Sequence, residues 1–384
     1  MIPRTLFSEE HEIFRASARR FVEREVEPHH AQWEKDGAVS RELWLKAGEA
    51  GLLCPSVPEE YGGAGGDFLM TVIVAEELAR AGATGPGFAL HSEIVAPYIL
   101  HYGSEDQKRD WLPKMATGEV IGAIAMTEPA AGSDLQRIRT TAKMDGNHYV
   151  LNGQKVFITN GYTADLVITA AKTDPDEGAK GISLILVPGA TEGFERGRNL
   201  EKIGWHAQDT AELFYADAKV PATNLLGHDE GRGFIQLVQQ LPQERLLSAL
   251  RSTAVIEAAL DWTVQYTSER NAFGRPVIGF QNTRFTLAEV KAKAVMMRTF
   301  IDRCIALHID GGGLTADDAA IAKLMSTETM CEVLDDCLQL HGGMGYMWET
   351  PIARAWADNR MARIAGGTSE IMKEIIGRTL GADG

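Results

Sequence analysis

The hydrophobic pattern of this 384-residue chain changes its period twice, and that change limits the fold more than any other feature. From about residue 8 to 120, apolar side chains recur at steps of three and four, as they do on one face of an α-helix. Between about 121 and 229 the period becomes two, and β-branched and aromatic residues are frequent, which is typical of strands. From 230 to 384 the helical period returns. The sequence predicts a mainly helical α+β fold with domains at 1–120, 121–229 and 230–384.

Local signals predict where several helices begin and end. Ser8 stands before an acidic turn and predicts an N-cap, and the helix that follows should end near Pro28. Thr315 and Asp318 predict a capping box ahead of a helix that runs to Gly342. Four long helical segments with short connections indicate an antiparallel four-helix bundle after the N-terminal helical domain and the β domain.

Strand signals are clearest in the middle region. Two strand-like segments flank Asn152-Gly153, a pair that tolerates the positive φ angles of a type I′ turn. The sequence therefore predicts a hairpin that turns at these two residues. Further strand-like segments lie at 166–170, 182–187 and 211–215, so we predict a small antiparallel β domain.

Composition narrows the class of function. The formal charge of -15 opposes binding to nucleic acid, although local basic clusters could still hold a phosphate. The four cysteines show no CxxC spacing and no neighbouring histidine pair, so no metal site is expected. No apolar run approaches the roughly 20 residues of a membrane span, and the first residues lack the apolar stretch of a signal peptide. We therefore expect a cytoplasmic protein without a membrane span.

Two segments of the chain resemble the signatures of a known family. The segments AMTEPAAGSD, at 125–134, and QLHGGMGY, at 339–346, are similar to the two signatures of the acyl-CoA dehydrogenases. The resemblance extends from about Ser8 to Leu380 and is nearest to the long-chain branch. It implies bound FAD, an acyl-CoA substrate oxidised in fatty-acid β-oxidation, a homo-oligomer that is a tetramer, and an electron-transferring flavoprotein as acceptor.

The same resemblance identifies a catalytic base. Most members of the family place the base just before a Gly-Thr pair, where this chain carries Gly366 and so has no carboxylate. The long-chain and isovaleryl-CoA branches place it instead in a Glu-Arg-Leu run on a bundle helix, which Glu244 and Arg245 match. Ser133, Arg245 and Gly366 would contact the substrate, with the Gly366 N–H at the thioester oxygen. Without the resemblance, Glu244 is more simply a solvated glutamate beside Arg245.

The resemblance also implies contacts with the cofactor. A guanidinium can hold a diphosphate, a phenyl ring can pack on a purine, and a glycine-rich helix end lets a diphosphate approach the backbone. The residues assigned to FAD in this way are Ile124, Met126, Thr127, Ser133, Phe157, Thr159, Arg270, Phe273, Gln281, Gln339, Gly342, Gly343, Thr368 and Glu370. Arg270 and Gln281 would reach FAD held mainly by another subunit. As isolated features, these residues are ordinary turn, packing and helix-cap positions.

Two departures from the family pattern and two alternative functions stay open. Arg137 stands where the signature usually has a small residue, and Phe157 stands where many relatives carry tryptophan. A flavin oxidase or monooxygenase on the same fold would differ in oxygen access, which the sequence does not reveal. A non-catalytic or DNA-associated relative is opposed by the net charge and by Glu244 with Arg245. Similarity to the long-chain branch favours a long or methyl-branched acyl chain.

Overall fold

The structure is a computed structural model in which residues 2–311 and 313–381 are described. The helices of the first third are α1 (Glu9–Phe21), α2 (Glu27–Asp36), α3 (Arg41–Glu49), α4 (Phe68–Arg80), α5 (Phe88–Leu90), α6 (Ala96–Tyr102) and α7 (Glu105–Ala116). Ser8 caps α1, as predicted, because its hydroxyl accepts from the His11 N–H. The predicted helix end at Pro28 is wrong. A π-helical turn, Val22–Val26, leads directly into α2, and Pro28 lies in the first turn of α2, where no N–H is needed.

The middle third forms one seven-stranded sheet. Its strands are β1 (Gly122–Ala125), β2 (Thr141–Asp145), β3 (His148–Thr159), β4 (Leu166–Lys172), β5 (Ile182–Pro188), β6 (Phe194–Asn199) and β7 (Thr210–Pro221). The order across the sheet is β1-β4-β2-β3-β7-β6, and β5 also pairs with β4. Both β1 and the first residue of β2 pair with β4 in parallel, whereas the other pairings are antiparallel. The sheet is therefore mixed, where the sequence predicted antiparallel pairing.

The hairpin predicted at Asn152-Gly153 turns elsewhere. Strand β3 runs through both residues, and the turn between β2 and β3 is at Gly146-Asn147. Between Leu151 and Gly153 the register of β3 against β7 shifts, because β7 has one extra residue there and so carries a β-bulge. Glycine is required there because an added Cβ would lie 2.5 Å from the Thr140 hydroxyl oxygen.

The last third is a helical bundle. Its elements are α8 (Gly233–Glu269), the short strands β8 (Asn271–Ala272) and β9 (Arg275–Pro276), α9 (Gln281–Ile309), α10 (Ala316–His341), α11 (Pro351–Asn359) and α12 (Ser369–Thr379). Thr315 and Asp318 form the predicted capping box of α10, which ends before Gly342 as predicted. Helices α8, α9 and α10 are long, and α11 and α4 supply further residues to the same buried core.

Helix α8 belongs to two buried cores. Near its start, Leu237 packs with residues of the first and middle thirds, and later Leu246 and Leu250 pack inside the bundle. Glu244 lies between these contacts, at the point where the three regions meet. The α+β fold, helical at both ends with a β region between, is confirmed. The domain boundaries at 120 and 229 stay predictions.

Candidate active site

Glu244 is buried on α8, with 9% of its surface exposed. Tyr98 Oη, on α6, donates a hydrogen bond of 3.0 Å to Glu244 Oε1. Burial raises the pKa of Glu244 to about 7, and the opposing effects of Tyr98 and Arg245 are smaller. A carboxyl group with a pKa near neutrality can take up and release a proton at working pH. This environment suits a general base.

Two cations lie in this region: Arg245 lies beside the Glu244 carboxyl group, and Lys323 lies near Arg245. Arg245 is buried, burial lowers its pKa, and its Nε has no hydrogen-bond partner among the described residues. Lys323, on α10, is fully buried, and its pKa is lowered to about 8 by burial and then by the charge of Arg245. A buried donor without a partner commonly marks a place where a ligand or water binds. The Arg245 guanidinium is therefore a candidate contact for a polar group of a substrate.

Gly366 lies in the turn that Lys323 holds, because Lys323 Nζ donates to the next carbonyl, Gly367 O, at 2.6 Å. Gly366 has a φ of +67°, and an added Cβ would meet nothing within 4 Å, so its backbone is open. Thr368 caps α12, and Glu370 is exposed in the first turn of that helix. These predicted site residues therefore share one short segment that a buried lysine fixes to α10.

The predicted flavin-side residues of the middle region lie where the loop after β1 meets β3. Lys155 Nζ and Glu128 Oε1 form a buried ion pair at 2.8 Å, and Lys155 Nζ also donates to Met126 O at 3.0 Å. The Val156 N–H donates to Thr127 O at 3.0 Å. These bonds fix the segment that contains Met126 and Thr127 against β3.

Phe157 has the most unusual backbone of these residues. Its φ is +62°, a conformation that is rare for a bulky residue, and 67% of its surface is exposed. The register of β3 with β7 shifts at this point. A strained residue with an exposed ring is a candidate ligand contact. Thr159 ends the same strand, Ile124 is buried on β1, and Ser133 is exposed in the loop that follows β1.

A second group of predicted cofactor residues lies at the far end of the bundle. The group consists of Arg270, Phe273, Gln281, Gln339, Gly342 and Gly343, all of which are exposed. Tyr266 Oη donates to His341 O at 3.1 Å, which joins the end of α10 to the end of α8. An added Cβ at either glycine would meet nothing within 4 Å. The backbone there is open to a ligand.

The structure separates the predicted cofactor residues into two groups. Glu244 and Arg270 are 26 positions apart, and α8 connects them as a continuous helix to Glu269. At the usual helical rise the two positions are about 39 Å apart along the axis. Arg270 and the exposed residues near it therefore lie far from Glu244 within one chain.

Three buried residues of the site were missed by sequence reasoning, namely Tyr98, Lys155 and Lys323. Tyr98 is 146 positions from Glu244, and nothing in its own segment indicates this partner. The two lysines did carry a signal, because each occupies an inward-facing position of a strand or helix. Lysine is almost never fully buried unless it has a specific partner.

Within residues 2–311 and 313–381, no three His, Cys, Asp or Glu side chains are grouped so that they could hold a metal ion. The four cysteines, Cys54, Cys304, Cys331 and Cys337, are free thiols. None of the helices described in this part of the chain combines the length and the apolar character needed to cross a membrane.

The chain is similar to known proteins in both sequence and structure. Three family models match in succession: the acyl-CoA dehydrogenase N-terminal domain at residues 8–119, the middle domain at 123–218 and the C-terminal domain at 231–381. The mitochondrial long-chain specific acyl-CoA dehydrogenase of Sus scrofa is 52% identical over 379 residues, which are 98% of this chain and 88% of that protein.

Solved structures give the same result. An acyl-CoA dehydrogenase from Geobacillus kaustophilus matches with a TM-score of 0.96 at 50% identity, over 98% of this chain and 100% of that one. An acyl-CoA dehydrogenase from Bacillus anthracis complexed with FAD matches with a TM-score of 0.92 at 33% identity, over 98% of this chain and 67% of that one.

Proposed function

The chain belongs to the acyl-CoA dehydrogenase family, and we propose that it oxidises a fatty acyl-CoA to the trans-2-enoyl-CoA with Glu244 as the base. One observation carries this proposal. The Glu244 carboxyl group is buried, accepts a hydrogen bond from Tyr98 and has its pKa raised to about 7. A base of this strength can remove a proton from the α-carbon of a thioester if the substrate is held against it.

The residues present fit FAD. Phe157 presents an exposed ring beside the fixed Thr127 segment, and the exposed Arg270 lies on the same end of the bundle as the open backbone at Gly342 and Gly343. An exposed ring can pack against a flavin, and a guanidinium can bind a diphosphate. An open glycine backbone lets that diphosphate approach the main chain closely. When bound, FAD supplies a hydride acceptor, its N5, for the β-hydrogen. The FAD complex of the Bacillus anthracis relative supports this cofactor.

In the proposed reaction, Glu244 removes the proton from the α-carbon. Its carboxylate must be ionised to do so, and the hydrogen bond from Tyr98 Oη favours the ionised form. Burial acts in the opposite direction and makes the carboxylate a stronger base than a solvated one. The balance of the two places the pKa near 7, where proton transfer to a carboxylate is most useful to an enzyme working near neutrality.

Removal of the proton builds negative charge on the thioester oxygen, and we assign its stabilisation to the Gly366 N–H. Lys323 holds this turn through Gly367 O, and Ser369 Oγ donates to Glu328 Oε1 at 2.5 Å on the other side of it. Both anchors lie on α10, so the turn is fixed at two points. Glycine suffices at position 366 because only the main chain is used.

We propose a long or methyl-branched acyl chain, because the Sus scrofa relative that is 52% identical is named as long-chain specific. Ser133, exposed after β1, would contact the pantetheine arm of CoA, and Arg245 would contact a polar group of the substrate. Electrons would pass to an electron-transferring flavoprotein, which would place the reaction in β-oxidation.

We also propose a homo-oligomer, a tetramer, in which Arg270 and Gln281 complete the FAD site of another subunit. The length of α8 supports this, because these residues cannot reach the Glu244 site of their own chain. Arg270→Ala should weaken FAD retention and assembly together, as measured by the flavin-to-protein ratio and by sedimentation. The exposed Arg303 on α9 provides the control, Arg303→Ala. An Arg270→Ala protein that stays assembled and saturated with FAD would contradict the shared site.

Anaerobic titration of the FAD-loaded protein with acyl-CoAs of increasing chain length tests the function. We expect loss of the oxidised flavin absorbance, most completely with long or methyl-branched chains. If no acyl-CoA reduces the flavin, the chain is a non-catalytic relative. If dioxygen reoxidises the reduced protein faster than an electron-transferring flavoprotein does, the chain is an oxidase.

A further inference from the structure

A cation without an ionic partner, Arg251, lies on α8 about two turns beyond Glu244. Within the described part of the chain it forms no salt bridge, and its one hydrogen bond is a long one, 3.3 Å from Nη2 to Asn359 Oδ1. Burial lowers the pKa of Arg251 to about 10, and the charge of Asp358 opposes this effect only in part. Because a guanidinium group carries several N–H donors, most of the donors of Arg251 have no partner among these residues.

Trp205, the neighbour of Arg251, also has an unpartnered donor. The Arg251 Cζ atom lies 4.2 Å from the centroid of the Trp205 ring, close enough for a cation–π contact. The indole Nε1 is buried and has no hydrogen-bond partner within residues 2–311 and 313–381. The φ angle of Trp205 is +54°, a conformation that is uncommon for a bulky residue. Strained backbone and buried donors without partners are both features of ligand sites.

Asp358, the carboxylate whose charge reaches Arg251, is already occupied by other donors. Its Oδ1 accepts from the Trp205 backbone N–H, and its Oδ2 accepts from Thr84 Oγ1 at 3.0 Å. Burial raises the pKa of Asp358, so its negative charge is itself disfavoured. A buried cation whose charge is not matched is unfavourable, and a bound anion would relieve this cost. Arg251 and Trp205 therefore form a candidate site for an anionic group.

This candidate site lies at one end of a seam between α8 and the segment α5–α6. Tyr102 Oη donates to Gln239 Oε1 at 3.0 Å, and one turn earlier on α6, Tyr98 Oη donates to Glu244 Oε1 at 3.0 Å. Residue numbers thus fall along α6 as they rise along α8, so the two helices run antiparallel. Helix α8 also contacts the π-helical turn His91–Val95 that joins α5 to α6. The part of α8 after Glu244 therefore lies along the chain that leads back to α5.

The far end of the seam reaches Arg251. Thr84, in the loop before α5, donates to Asp358 beside Arg251, so the start of α5 adjoins the candidate site. Along the seam, three side chains are half-buried although most of their neighbours on these helices are buried, namely Leu90, Ile94 and Ser248. Two of the three are apolar. A partly open, mainly apolar seam suits an acyl chain, and its two ends are the carboxylate of Glu244 and the cation of Arg251.

We propose that Arg251 and Trp205 bind a carboxylate at the far end of the acyl chain, so that the substrate class is an ω-carboxyacyl-CoA. The proposal rests on the proposed function, in which Glu244 removes the α-proton. The seven helical positions between the two residues span about 10 Å. An extended chain with C–C bonds of about 1.5 Å advances about 1.3 Å per carbon, so the carboxylate lies about eight carbons beyond the α-carbon. A guanidinium group binds a carboxylate in a bidentate manner, and the indole N–H supplies a further donor.

Binding measurements on the FAD-loaded protein test this proposal without depending on catalysis. The probes are two CoA thioethers of equal chain length that lack the reactive thioester: S-decyl-CoA, which ends in a methyl group, and S-(9-carboxynonyl)-CoA, which ends in a carboxylate. In Arg251→Met, titration calorimetry should show binding of S-(9-carboxynonyl)-CoA weakened about tenfold or more, because charge-assisted hydrogen bonds are lost. S-decyl-CoA should bind at least as tightly as before, since an unmatched buried charge has been removed.

Two further variants and a shorter probe control for indirect effects. Arg251→Lys keeps the cation and should retain part of the affinity for S-(9-carboxynonyl)-CoA. Arg303 is exposed on α9, so Arg303→Met should bind both probes like the unsubstituted protein. S-(5-carboxypentyl)-CoA is too short to reach Arg251 and should bind equally to the unsubstituted protein and to Arg251→Met. The FAD content of each variant verifies that it is folded.

The outcomes separate this proposal from the proposed function. Unchanged binding of S-(9-carboxynonyl)-CoA to Arg251→Met would overturn the proposal, and so would equal weakening of both ten-carbon probes, which would indicate a structural role. If decanoyl-CoA reduces the flavin but Arg251→Met has no selective effect, the proposed function stands and the carboxylate site is rejected. If no acyl-CoA reduces the flavin but the carboxylate probe is selectively weakened, the proposed function is rejected and Arg251 remains the carboxylate site.

Discussion

Two buried glutamates, Glu76 and Glu244, have pKa values that are shifted in opposite directions. They lie on α4 and α8, two helices that pack against each other. Glu76 accepts hydrogen bonds from Arg298 at 2.7 Å, Arg15 at 2.8 Å and Arg4 at 3.0 Å. Burial acts to raise the pKa of Glu76, but these guanidinium groups outweigh it and lower the pKa. At Glu244 burial outweighs all other effects, and the pKa rises to about 7.

The comparison shows that burial alone does not decide the role of a carboxylate. Three guanidinium groups keep Glu76 ionised at all working pH values, so it can hold α1, α4 and α9 together but cannot exchange a proton. Glu244 has a neutral hydroxyl donor and one adjacent guanidinium group, so both of its protonation states are accessible. The number of nearby cations therefore separates a structural glutamate from a candidate base.

The largest expected effect is on the rate of flavin reduction in Glu244→Gln. The variant should retain FAD and bind acyl-CoA, but anaerobic stopped-flow reduction should slow by about 10²–10⁴-fold, because a positioned base is lost. Glu93 provides a matched control, since burial also raises its pKa to about 7 and the cavity beside it encloses only about 20 Å³. Glu93→Gln should keep its rate of reduction within about tenfold. Similar losses in both variants would reject Glu244 as the base.

Glu76→Gln should instead affect stability. Removing the charge of Glu76 weakens its charge-assisted hydrogen bonds, although Arg298 keeps Glu257 and Arg4 keeps Asp302 as partners, so the free energy of unfolding should fall by about 1.5–3 kcal/mol. Urea denaturation at neutral pH measures this loss, with the exposed Glu10→Gln as control. Flavin reduction by the folded variant should be nearly normal. A stability loss no larger than that of the control would mean that the cluster is not the structural anchor described above.

The pH dependence of stability should have opposite signs at the two glutamates. Between pH 4.5 and about 7 the folded state keeps a proton on Glu244 that the unfolded state has released, so stability falls as pH rises through this window. Glu244→Gln removes that loss. The stability of the variant relative to the unsubstituted protein should therefore increase by about 3 kcal/mol between pH 4 and a pH above 7.

For Glu76 the folded pKa is lowered, so its stabilisation is present above its unfolded pKa and is lost as pH falls through the folded pKa. The deficit of Glu76→Gln should therefore shrink on acidification. Urea denaturation at several pH values measures both trends. A Glu244→Gln advantage that does not grow between pH 4 and 8 would mean that Glu244 is not held protonated by burial.

The smallest expected effect concerns Tyr98→Phe. Loss of the hydroxyl removes the hydrogen bond that favours ionised Glu244, so the apparent pKa of flavin reduction should rise by about one unit or more. The rate should fall severalfold at pH 7 and recover by about pH 9. Tyr102→Phe, on the same helix, removes a hydroxyl that contacts Gln239 rather than Glu244, and should leave the pH profile unchanged. An unshifted profile in Tyr98→Phe would show that this hydrogen bond does not control the base.

Much of the fold could be predicted because its signals are local. Ser8 and Thr315 cap their helices through residues three positions away, and the alternation of apolar residues identifies the strands without knowledge of their partners. The turn at Asn152-Gly153 was predicted wrongly for the opposite reason. That pair is compatible with a turn, but pairing with both β2 and β7 keeps β3 extended through it, and the contact with Thr140 explains the glycine.

The sequence by itself determined the order of helical and β regions, the family, and Glu244 as the candidate base with Gly366 at the alternative position. Only the tertiary structure decided the states of these groups. The pKa of Glu244 depends on its burial and on Tyr98, 146 positions away, and the turn at Gly366 is held by buried Lys323, 44 positions from its acceptor Gly367. Secondary structure follows from neighbours along the chain, whereas a pKa follows from neighbours in space, and folding brings those together from distant segments.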